Sequence, residues 1–300
     1  MREQQAMHTE EQTGSHTAGG DLVTTTSTRV EAEPAIRLDG VTMRFPTPTG
    51  ELYTAVADVD LSVGAGRFVS IVGPSGCGKS TILNAMAGLI PPAAGQVEVF
   101  GSRLQGINRR AGYLFQQDAL MPWKTVLDNV MLAPRLAREG SAASRREAAR
   151  AWLSRVGLSG FEDRYPFQLS GGMRKRAAIA QTWIMGPDML LMDEPFSSLD
   201  VQTRLLMENE LLELWTGSGT SVVFVTHDLD EAVSLSDEVV LLSAGPASTI
   251  VGRFPVDLPR PRDLMCIRAD ARFTSTYNTI WAALRDEVMK THERSTQLHH

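Results

Sequence analysis

The stretch Gly73-Pro-Ser-Gly-Cys-Gly-Lys-Ser80 decides the fold, because it matches the pattern Gly-x-x-x-x-Gly-Lys-Ser/Thr at every fixed position. It follows a largely apolar run at residues 67–72, which is consistent with a buried strand, and precedes a predicted helix at 79–86. Glycines let backbone N–H groups turn inward around phosphate oxygens, and the start of a helix adds the positive end of its dipole. The sequence therefore predicts a nucleotide-binding loop.

An acidic pair supplies the second half of the predicted nucleotide site. Asp193 and Glu194 follow the apolar run at 189–192, as expected for groups at the carboxyl end of a parallel strand. Lys79 is expected to reach the β- and γ-phosphates, while the Ser80 hydroxyl and Asp193 are expected to hold Mg²⁺. Glu194 directly follows the strand, so its carboxylate is predicted to polarise the attacking water as a general base.

Strand and helix patterns alternate along most of the chain. Residues 36–45 and 54–63 alternate apolar and polar side chains, which predicts strands of a half-exposed sheet. Residues 117–186 look helical, with helix formers and few breakers over much of their length, and from residue 189 onward strands alternate with helices again. This order predicts a mostly parallel sheet with helices on its faces and a helical block inserted into it.

The two ends of the chain differ from its middle. Residues 1–33 contain no Phe, Trp, Tyr or Ile, and they carry six acidic and two basic side chains. Such a segment buries too little apolar surface to offset its ordering entropy, so we predict a disordered acidic tail. Residues 34–265 form the predicted main domain, in which the prolines after residue 253 exclude a central strand. Residues 266–300 form a helical extension whose last helix is predicted to share one apolar face among Tyr277, Ile280, Trp281, Leu284 and Val288.

Composition excludes several classes of protein. The net charge is −6, most of it in the first 33 residues, and no dense basic block offers phosphate contacts for a nucleic acid. No apolar run approaches the roughly 20 residues that a membrane span needs, and we expect no secretory signal. Two cysteines cannot form a disulfide framework, and they fit a reducing compartment.

Four further stretches carry a family resemblance. Leu169-Ser-Gly-Gly-Met-Arg-Lys-Arg176 resembles the signature motif of ABC (ATP-binding cassette) ATPases, and Asp193-Glu-Pro-Phe-Ser-Ser-Leu-Asp200 resembles their Walker B motif and D-loop. Tyr113-Leu-Phe-Gln116 is similar to the Q-loop, and Val225-Thr-His-Asp228 to the H-loop. Order and spacing agree over residues 36–252. The resemblance implies an α/β P-loop NTPase of the ABC ATPase type: a mixed sheet core, a helical subdomain at about 117–186 and an antiparallel β subdomain.

The resemblance also implies roles for individual residues. Gln116 would contact Mg²⁺ and the attacking water, and His227 would bind the γ-phosphate and support Glu194. Asp200 would cross a dimer interface, and the adenine would stack on Phe45, with Tyr53 as its rival. Residues implied to contact ATP are Phe45, Gly73, Pro74, Ser75, Gly76, Cys77, Gly78, Lys79, Ser80, Thr81, Ser170, Gly171, Gly172 and Asp200, the three signature residues doing so on the opposite subunit.

Partners follow from the same resemblance. A homodimer is implied, because each ATP needs a phosphate loop from one subunit and a signature motif from the other. Without a span of its own, the chain would need separate transmembrane permease subunits and, indirectly, a secreted solute-binding protein, at the cytoplasmic face of the membrane. Phe115-Gln-Gln-Asp-Ala-Leu-Met-Pro-Trp123 is similar to importers of nitrate, sulfonates, taurine and related small anions. The family commonly has Gln at Lys175 and Arg-Ala near 181–183, so this chain departs from it there.

Three other functions compete with an importer ATPase. A soluble ABC ATPase acting on DNA or ribosomes usually has long coiled-coil insertions or two cassettes, which are missing here. A P-loop kinase leaves the signature motif and His227 without a role. A binder that does not hydrolyse ATP is disfavoured, because Glu194 and His227 are both present.

Overall fold

The computed structural model describes residues 33–297, and the predicted acidic tail lies outside these residues apart from Glu33. Strands of the described part are β1 (Ile36–Pro46), β2 (Leu52–Val63), β3 (Phe68–Val72), β4 (Ala94–Val99), β5 (Ser102–Arg103), β6 (Ala111–Leu114), β7 (Met189–Asp193), β8 (Ser221–Val225), β9 (Glu238–Leu242) and β10 (Ile250–Pro255). Its α-helices are α1 (Lys79–Met86), α2 (Val126–Val130), α3 (Leu132–Leu136), α4 (Ala142–Arg155), α5 (Gly171–Trp183), α6 (Val201–Trp215), α7 (Leu229–Leu235) and α8 (Ala271–Gln297).

The strands form two sheets of different character. One is antiparallel, with the order β2-β1-β4-β5. The other has the order β10-β9-β3-β8-β7-β6, and its strands pair in parallel except β10, which is antiparallel to β9 at the edge. Helices α2 to α5 lie between β6 and β7 in the chain, within the stretch predicted to be helical. The predicted mixed-sheet fold is confirmed.

Strand β3 separates two apolar cores. Phe68 and Val72 pack in a core with the helical block and α6 to α8, whereas Val69 and Ile71 pack in a core with the antiparallel sheet and α1. All four side chains are buried. They divide between the two cores because successive side chains of a strand point to opposite faces of the sheet. The strand that leads into the glycine loop is therefore held from both sides.

Helix α8 packs through only part of its predicted face. Ile280 and Leu284 are buried as expected, but Trp281 is 47% exposed and Val288 is 43% exposed. The helix lies against α7 and β10 with Glu287 turned inward in place of Val288. Two of the five predicted face positions were therefore wrong, and at one of them the hydrogen-bonded Glu287 takes the buried position in place of Val288.

The buried end of Glu287 has a backbone partner. Its Oε2 accepts a hydrogen bond of 2.8 Å from the backbone N–H of Ala244. This contact ties α8 to the loop after β9.

Among the helices within residues 33–297, none combines the length and the apolar character that a membrane crossing needs.

Buried charges lie between α6 and α7. Glu208 on α6 and Glu231 on α7 are about 5% and 4% exposed, and Arg204 reaches both Asp228, at 3.0 Å, and Glu231, at 3.7 Å. Glu231 also accepts a hydrogen bond from the hydroxyl of Thr226. Burial, followed by the negative charges of Glu231 and Asp228, raises the pKa of Glu208 to about 8. Glu208 is therefore mostly protonated at neutral pH in the folded chain.

We expect Glu208→Gln to stabilise the protein in a pH-dependent way. A carboxyl group whose pKa is about 8 when folded and about 4.3 when unfolded lowers the unfolding free energy as the pH rises between these values, because the folded state holds the extra proton. Glutamine does not titrate, so the variant should gain on the order of 1–3 kcal/mol over the wild type at about pH 9 and little at about pH 4.5. Urea unfolding at both pH values measures the difference.

The exposed Glu213 on the same helix provides the control for this experiment. Glu213→Gln removes the same kind of charge from an exposed position, so it should not reproduce the gain at about pH 9. A Glu208→Gln variant whose stability differs from the wild type by the same amount at both pH values would contradict the raised pKa.

Candidate functional site

The glycine loop connects the end of β3 to the first turn of α1. Gly78 caps α1 with a backbone φ of 93°, in the left-handed region that favours glycine. A Cβ atom at Gly78 would lie 2.5 Å from Cγ1 of Val56, so the approach of the loop to β2 also demands glycine. The sequence pattern and the geometry of the loop therefore have the same steric origin.

Lys79 holds a buried positive charge inside this loop. Its side chain points back along the turn, and its Nζ donates hydrogen bonds to the carbonyl oxygens of Gly73, at 3.0 Å, and Pro74, at 3.2 Å. The residue is only 7% exposed, and these carbonyls compensate for the loss of water around the ammonium group. The loop thus presents a cation at the base of an anion-sized cradle.

Asp193 ends β7 beside the start of α1. Its Oδ1 accepts a hydrogen bond of 2.8 Å from the Ser80 hydroxyl. Burial raises the pKa of the Asp193 carboxyl, and the neighbouring Glu194 adds to this, while the Ser80 hydrogen bond and the charge of Lys79 oppose it. A cation at this carboxylate would therefore be favoured, since it would offset the cost of burying the negative charge.

The donor set fits Mg²⁺. A carboxylate and a hydroxyl are the hard oxygen ligands that Mg²⁺ takes, and this ion usually completes its shell with substrate phosphates and waters. Within residues 33–297 no three His, Cys, Asp or Glu side chains converge to hold a metal by themselves. The pair of Ser80 and Asp193 is thus suited to a metal ion that arrives with a phosphate ligand.

Glu194 has a strained backbone that its neighbours hold in place. Its φ is +43°, which costs a residue other than glycine about 1–2 kcal/mol. The Glu194 N–H donates to the carbonyl of Val225 at 2.9 Å, and the Ser197 hydroxyl donates to the Glu194 carbonyl at 3.0 Å. Strain of this kind clusters at functional sites, where it aims a side chain in a fixed direction.

Two side chains converge on the Glu194 carboxylate. Nδ1 of His227 lies 2.9 Å from Oε2 of Glu194. Nε2 of Gln116 lies 3.4 Å from the same oxygen and 3.4 Å from the Ser197 hydroxyl. The three residues that we predicted to be catalytic are therefore adjacent, although 78 residues separate Gln116 from Glu194 in the chain.

A cleft of about 600 Å³ opens over this group. It is lined by Phe45, Tyr53, Ala55, Ser75, Gly76, Gly78, Lys79, Ser80, Thr81, Glu194 and His227. Phe45 and Tyr53 are direct partners across the β1–β2 pair, so both aromatic rings reach the cleft from neighbouring strands. The choice between them as the stacking residue stays open.

The predicted signature residues do not line this cleft. Ser170 caps α5, its hydroxyl accepting from the Met173 N–H at 3.3 Å, and Gly171 and Gly172 form the first turn. A Cβ atom at Gly172 would lie 2.9 Å from the Thr203 side chain on α6, so this glycine allows the two helices to approach closely. The signature turn therefore lies outside the cleft of its own chain, and its predicted contact with ATP stays a prediction.

Asp200 also lies away from the cleft lining. Its Oδ1 accepts hydrogen bonds from the N–H groups of Gln202 and Thr203, at 3.1 and 3.0 Å, which caps α6. These hydrogen bonds lower the pKa of the Asp200 carboxyl. Its predicted role across a dimer interface stays a prediction.

Cys77 is enclosed within the glycine loop. Its side chain is fully buried, and burial raises the pKa of its thiol. Because the thiolate is the reactive form of cysteine, this environment favours an inert, space-filling residue.

Sequence reasoning missed two polar residues at the site. Ser197 supports the Glu194 carbonyl and contacts Gln116, although it lies inside a motif that had been recognised. Tyr113 donates a hydrogen bond from its hydroxyl to Asn84 at 3.1 Å, and burial, with the charge of Asp193, raises the pKa of Tyr113. Its position at the strand end before Gln116 was the available signal.

Together these contacts define the class of the protein, a P-loop nucleoside triphosphatase. A family model described as ABC transporter matches residues 56–197. An uncharacterised ABC transporter ATP-binding protein of Methanocaldococcus jannaschii is 45% identical over 242 residues, which is 80% of this chain and 88% of that protein. The chain belongs to this family, the ATP-binding proteins of ABC transporters, and it is an ATPase of that family.

Two relatives whose names state a role, and one solved structure of an ATP-binding cassette, are also similar to this chain. The nitrate import ATP-binding protein NrtD of Synechococcus elongatus is 40% identical over 79% of this chain and 87% of its own length. The taurine import ATP-binding protein TauB of Escherichia coli is 42% identical over 69% of this chain and 80% of its own length. A dimeric ATP-binding cassette in a post-hydrolysis state bound to ADP and Pi superposes with a TM-score of 0.67 and 32% identity, over 75% of this chain and 100% of that one.

We expect Glu194→Gln to abolish most ATP hydrolysis while ATP binding persists. The change removes the carboxylate but keeps its shape and its contact with Gln116, so kcat should fall by about 10²–10⁴-fold. Phosphate release measures hydrolysis, and calorimetry with ATP measures binding. Glu98→Gln, on β4 in the other sheet, should retain the full rate; a Glu194→Gln variant with wild-type kcat would exclude Glu194 as the general base.

Proposed function

We propose that this chain is the ATP-hydrolysing subunit of an importer for a small anion such as nitrate, taurine, a sulfonate or a related solute. It would work as a homodimer at the cytoplasmic face of the membrane, attached to separate permease subunits that receive solute from a secreted binding protein. The observation that carries the ATPase part is the cluster of Gln116 and His227 around Glu194, next to the Lys79 loop. The named roles of the nitrate and taurine relatives support the solute class.

The residues divide the work of hydrolysis between them. Lys79 and the N–H groups of the glycine loop bind the phosphates, and Ser80 and Asp193 hold Mg²⁺, which when bound neutralises phosphate charge. Glu194 accepts a proton from the attacking water. His227 and Gln116 hold the Glu194 carboxylate in one orientation, and His227 donates toward the terminal phosphate.

A second copy of the chain supplies the missing part of each site. Ser170 caps α5 outside the cleft of its own chain, and its hydroxyl and the following N–H groups form an anion-binding turn. A two-fold dimer would bring this turn to the terminal phosphate in the partner's cleft. Each ATP then lies between a glycine loop of one copy and a signature turn of the other.

Mixing two inactive variants tests this composite site. Lys79→Ala disables the phosphate loop, and Ser170→Arg blocks the signature turn. A mixed dimer keeps one intact site, made from the good loop of one chain and the good turn of the other. We expect each variant alone to be inactive and an equal mixture, refolded or co-expressed, to recover up to about a quarter of the wild-type rate if pairing is random and the sites act independently.

The same mixture gives a distinct result if both motifs serve one chain. Every chain then carries one lethal change, so no combination restores hydrolysis. As a control, a mixture of Lys79→Ala with Glu194→Gln should stay inactive in either case, because both changes affect the phosphate side of the site.

A groove on the helical block offers a docking surface for the permease. Its volume is about 540 Å³, and its apolar lining includes Phe115 beside Tyr113, with Leu132 and Leu136 from α3. Leu136 is 74% exposed and Phe115 is 43% exposed, which is unusual for large apolar side chains on the same surface. We propose that a helix of the permease packs into this groove next to Gln116.

We expect Leu136→Glu to uncouple transport from hydrolysis. A carboxylate in the groove opposes docking of an apolar helix, so uptake by the assembled transporter should fall at least tenfold while the free chain keeps its basal ATPase rate. Uptake of labelled solute into proteoliposomes and co-purification with the permease measure both effects. Leu52→Glu, at a leucine on β2 that is 67% exposed, is the control that should leave uptake intact.

The solute itself is tested outside this chain. Any permease and solute-binding protein encoded beside this chain should function with it, and that binding protein, once purified, should bind nitrate, taurine or a sulfonate in calorimetry. Binding of an unrelated solute would reject the small-anion class and keep the importer. Failure to pair with any permease would favour the alternative, an ABC ATPase that acts outside transport.

A further inference from the structure

Lys175 is the most deeply buried lysine in the described part of the chain. It lies on α5, five residues after Ser170, and its side chain is 1% exposed. A buried ammonium group is costly unless it is paired and hydrogen-bonded. Its surroundings should therefore explain what the charge does.

The partners of Lys175 come from the segment that carries Gln116. The Lys175 Nζ lies 2.9 Å from Oδ1 of Asp118 and donates to the backbone carbonyl of Gln116 at 3.2 Å. One side chain of α5 thus holds both ends of the three-residue stretch at 116–118. The amide of Gln116 projects from this stretch toward Glu194.

Arg174 completes the arrangement from the same helix. Its Nε donates to the second oxygen of Asp118 at 3.2 Å, and its Nη1 donates to the Leu169 carbonyl at 2.9 Å. Asp118 therefore contacts two consecutive cations: its Oδ2 accepts from Arg174, and its Oδ1 forms an ion pair with Lys175. The turn before Ser170 and the backbone of Gln116 are joined through a single carboxylate.

We propose that Lys175 is a positioning residue for hydrolysis, which fixes the backbone of Gln116 so that its amide meets the Glu194 carboxylate and the metal-bearing phosphates. The proposal rests on the function proposed above. A neutral donor could bond the Gln116 carbonyl, but only a cation also compensates the carboxylate of Asp118. Lys175 touches no reacting atom and acts through Gln116.

The central variant is Lys175→Met in the full-length chain, which keeps the volume and removes both contacts. We expect kcat to fall about tenfold, the Mg²⁺ concentration for half-maximal rate to rise severalfold, and the Kd for ATP to stay within about twofold. Amide exchange of the nucleotide-free chain should accelerate in the segment 115–119, a readout independent of activity.

Lys175→Gln separates the two contacts of the lysine. Glutamine can still donate to the Gln116 carbonyl but cannot neutralise Asp118. We expect kcat to recover to within about threefold of the wild type, as a positioning role through this carbonyl requires. A rate as low as that of Lys175→Met would overturn positioning through the carbonyl.

A double variant distinguishes positioning from simple stability. Asp118→Asn in the Lys175→Met background removes the half-buried carboxylate that has lost one of its two cations, so part of the lost thermal stability should return. The Gln116 carbonyl still lacks its donor, so kcat should stay low. Recovery of kcat together with stability would overturn the proposal.

Arg176→Met is the matched control on the same helix. Arg176 pairs with Glu210 and donates to the Val156 carbonyl, and neither contact touches Gln116. This variant should lose stability while kcat and the Mg²⁺ dependence stay near the wild-type values. Equal kinetic losses in Arg176→Met and Lys175→Met would reduce Lys175 to a structural residue and overturn the proposal.

Gln116→Ala separates failure of this proposal from failure of the proposed function. If Gln116→Ala loses rate while Lys175→Met behaves as the wild type, positioning by Lys175 is overturned and the hydrolytic site stands. If Gln116→Ala itself keeps the wild-type rate and Mg²⁺ dependence, the role of Gln116 is wrong and the role of Lys175 falls with it.

Discussion

Parallel pairing of β7, β8 and β3 is the constraint on which the rest of the structure depends. Parallel strands end at a common edge, so the glycine loop after Val72, Asp193 and the turn at His227 meet there. The hydrogen bond from the Glu194 N–H to Val225 continues this pairing one residue beyond the strand. The strained backbone of Glu194 is therefore maintained by strand hydrogen bonds in a sheet that is buried on both faces. The position of the Glu194 carboxylate is fixed because the sheet is rigid.

Desolvation then determines how the charges at this edge are arranged. Lys79 rests on backbone carbonyls, and the pKa of Asp193 is raised by burial beside Glu194. Removing water strengthens every interaction of these groups with a phosphate, because the local dielectric constant is low. Binding affinity and fold stability thus oppose each other here, since the site places like charges together that a phosphate and a cation would separate and neutralise.

Sequence patterns predicted the parts of the molecule in which one local rule dominates. Apolar runs predicted the buried strands, and the spacing of glycines predicted the loop, whose backbone conformation favours glycine. The pattern failed where tertiary contacts decided the outcome: β5 has only two residues and shows no period, and Glu287 rather than Val288 turned inward because Ala244 offers it a hydrogen bond. The adjacency of Gln116 and Glu194 required the motif resemblance, because no local rule relates residues 78 positions apart.

Lys175 shows that the role of a residue that departs from a family pattern can depend on tertiary contacts that the sequence does not reveal. The sequence indicates only that a lysine replaces a common glutamine, whereas the structure shows that this lysine is among the most enclosed charges described and contacts the segment that carries Gln116. The contacts of Asp118 with Arg174 and Lys175 connect α5 to the segment that carries Gln116. In a dimer whose signature turn binds the partner's phosphate, any shift of α5 on closure would therefore carry Gln116 with it. A phosphate bound across the interface to the signature turn of one chain would thereby shift Gln116 in that chain's own cleft. The two sites would be coupled in this way without a change in the sheet.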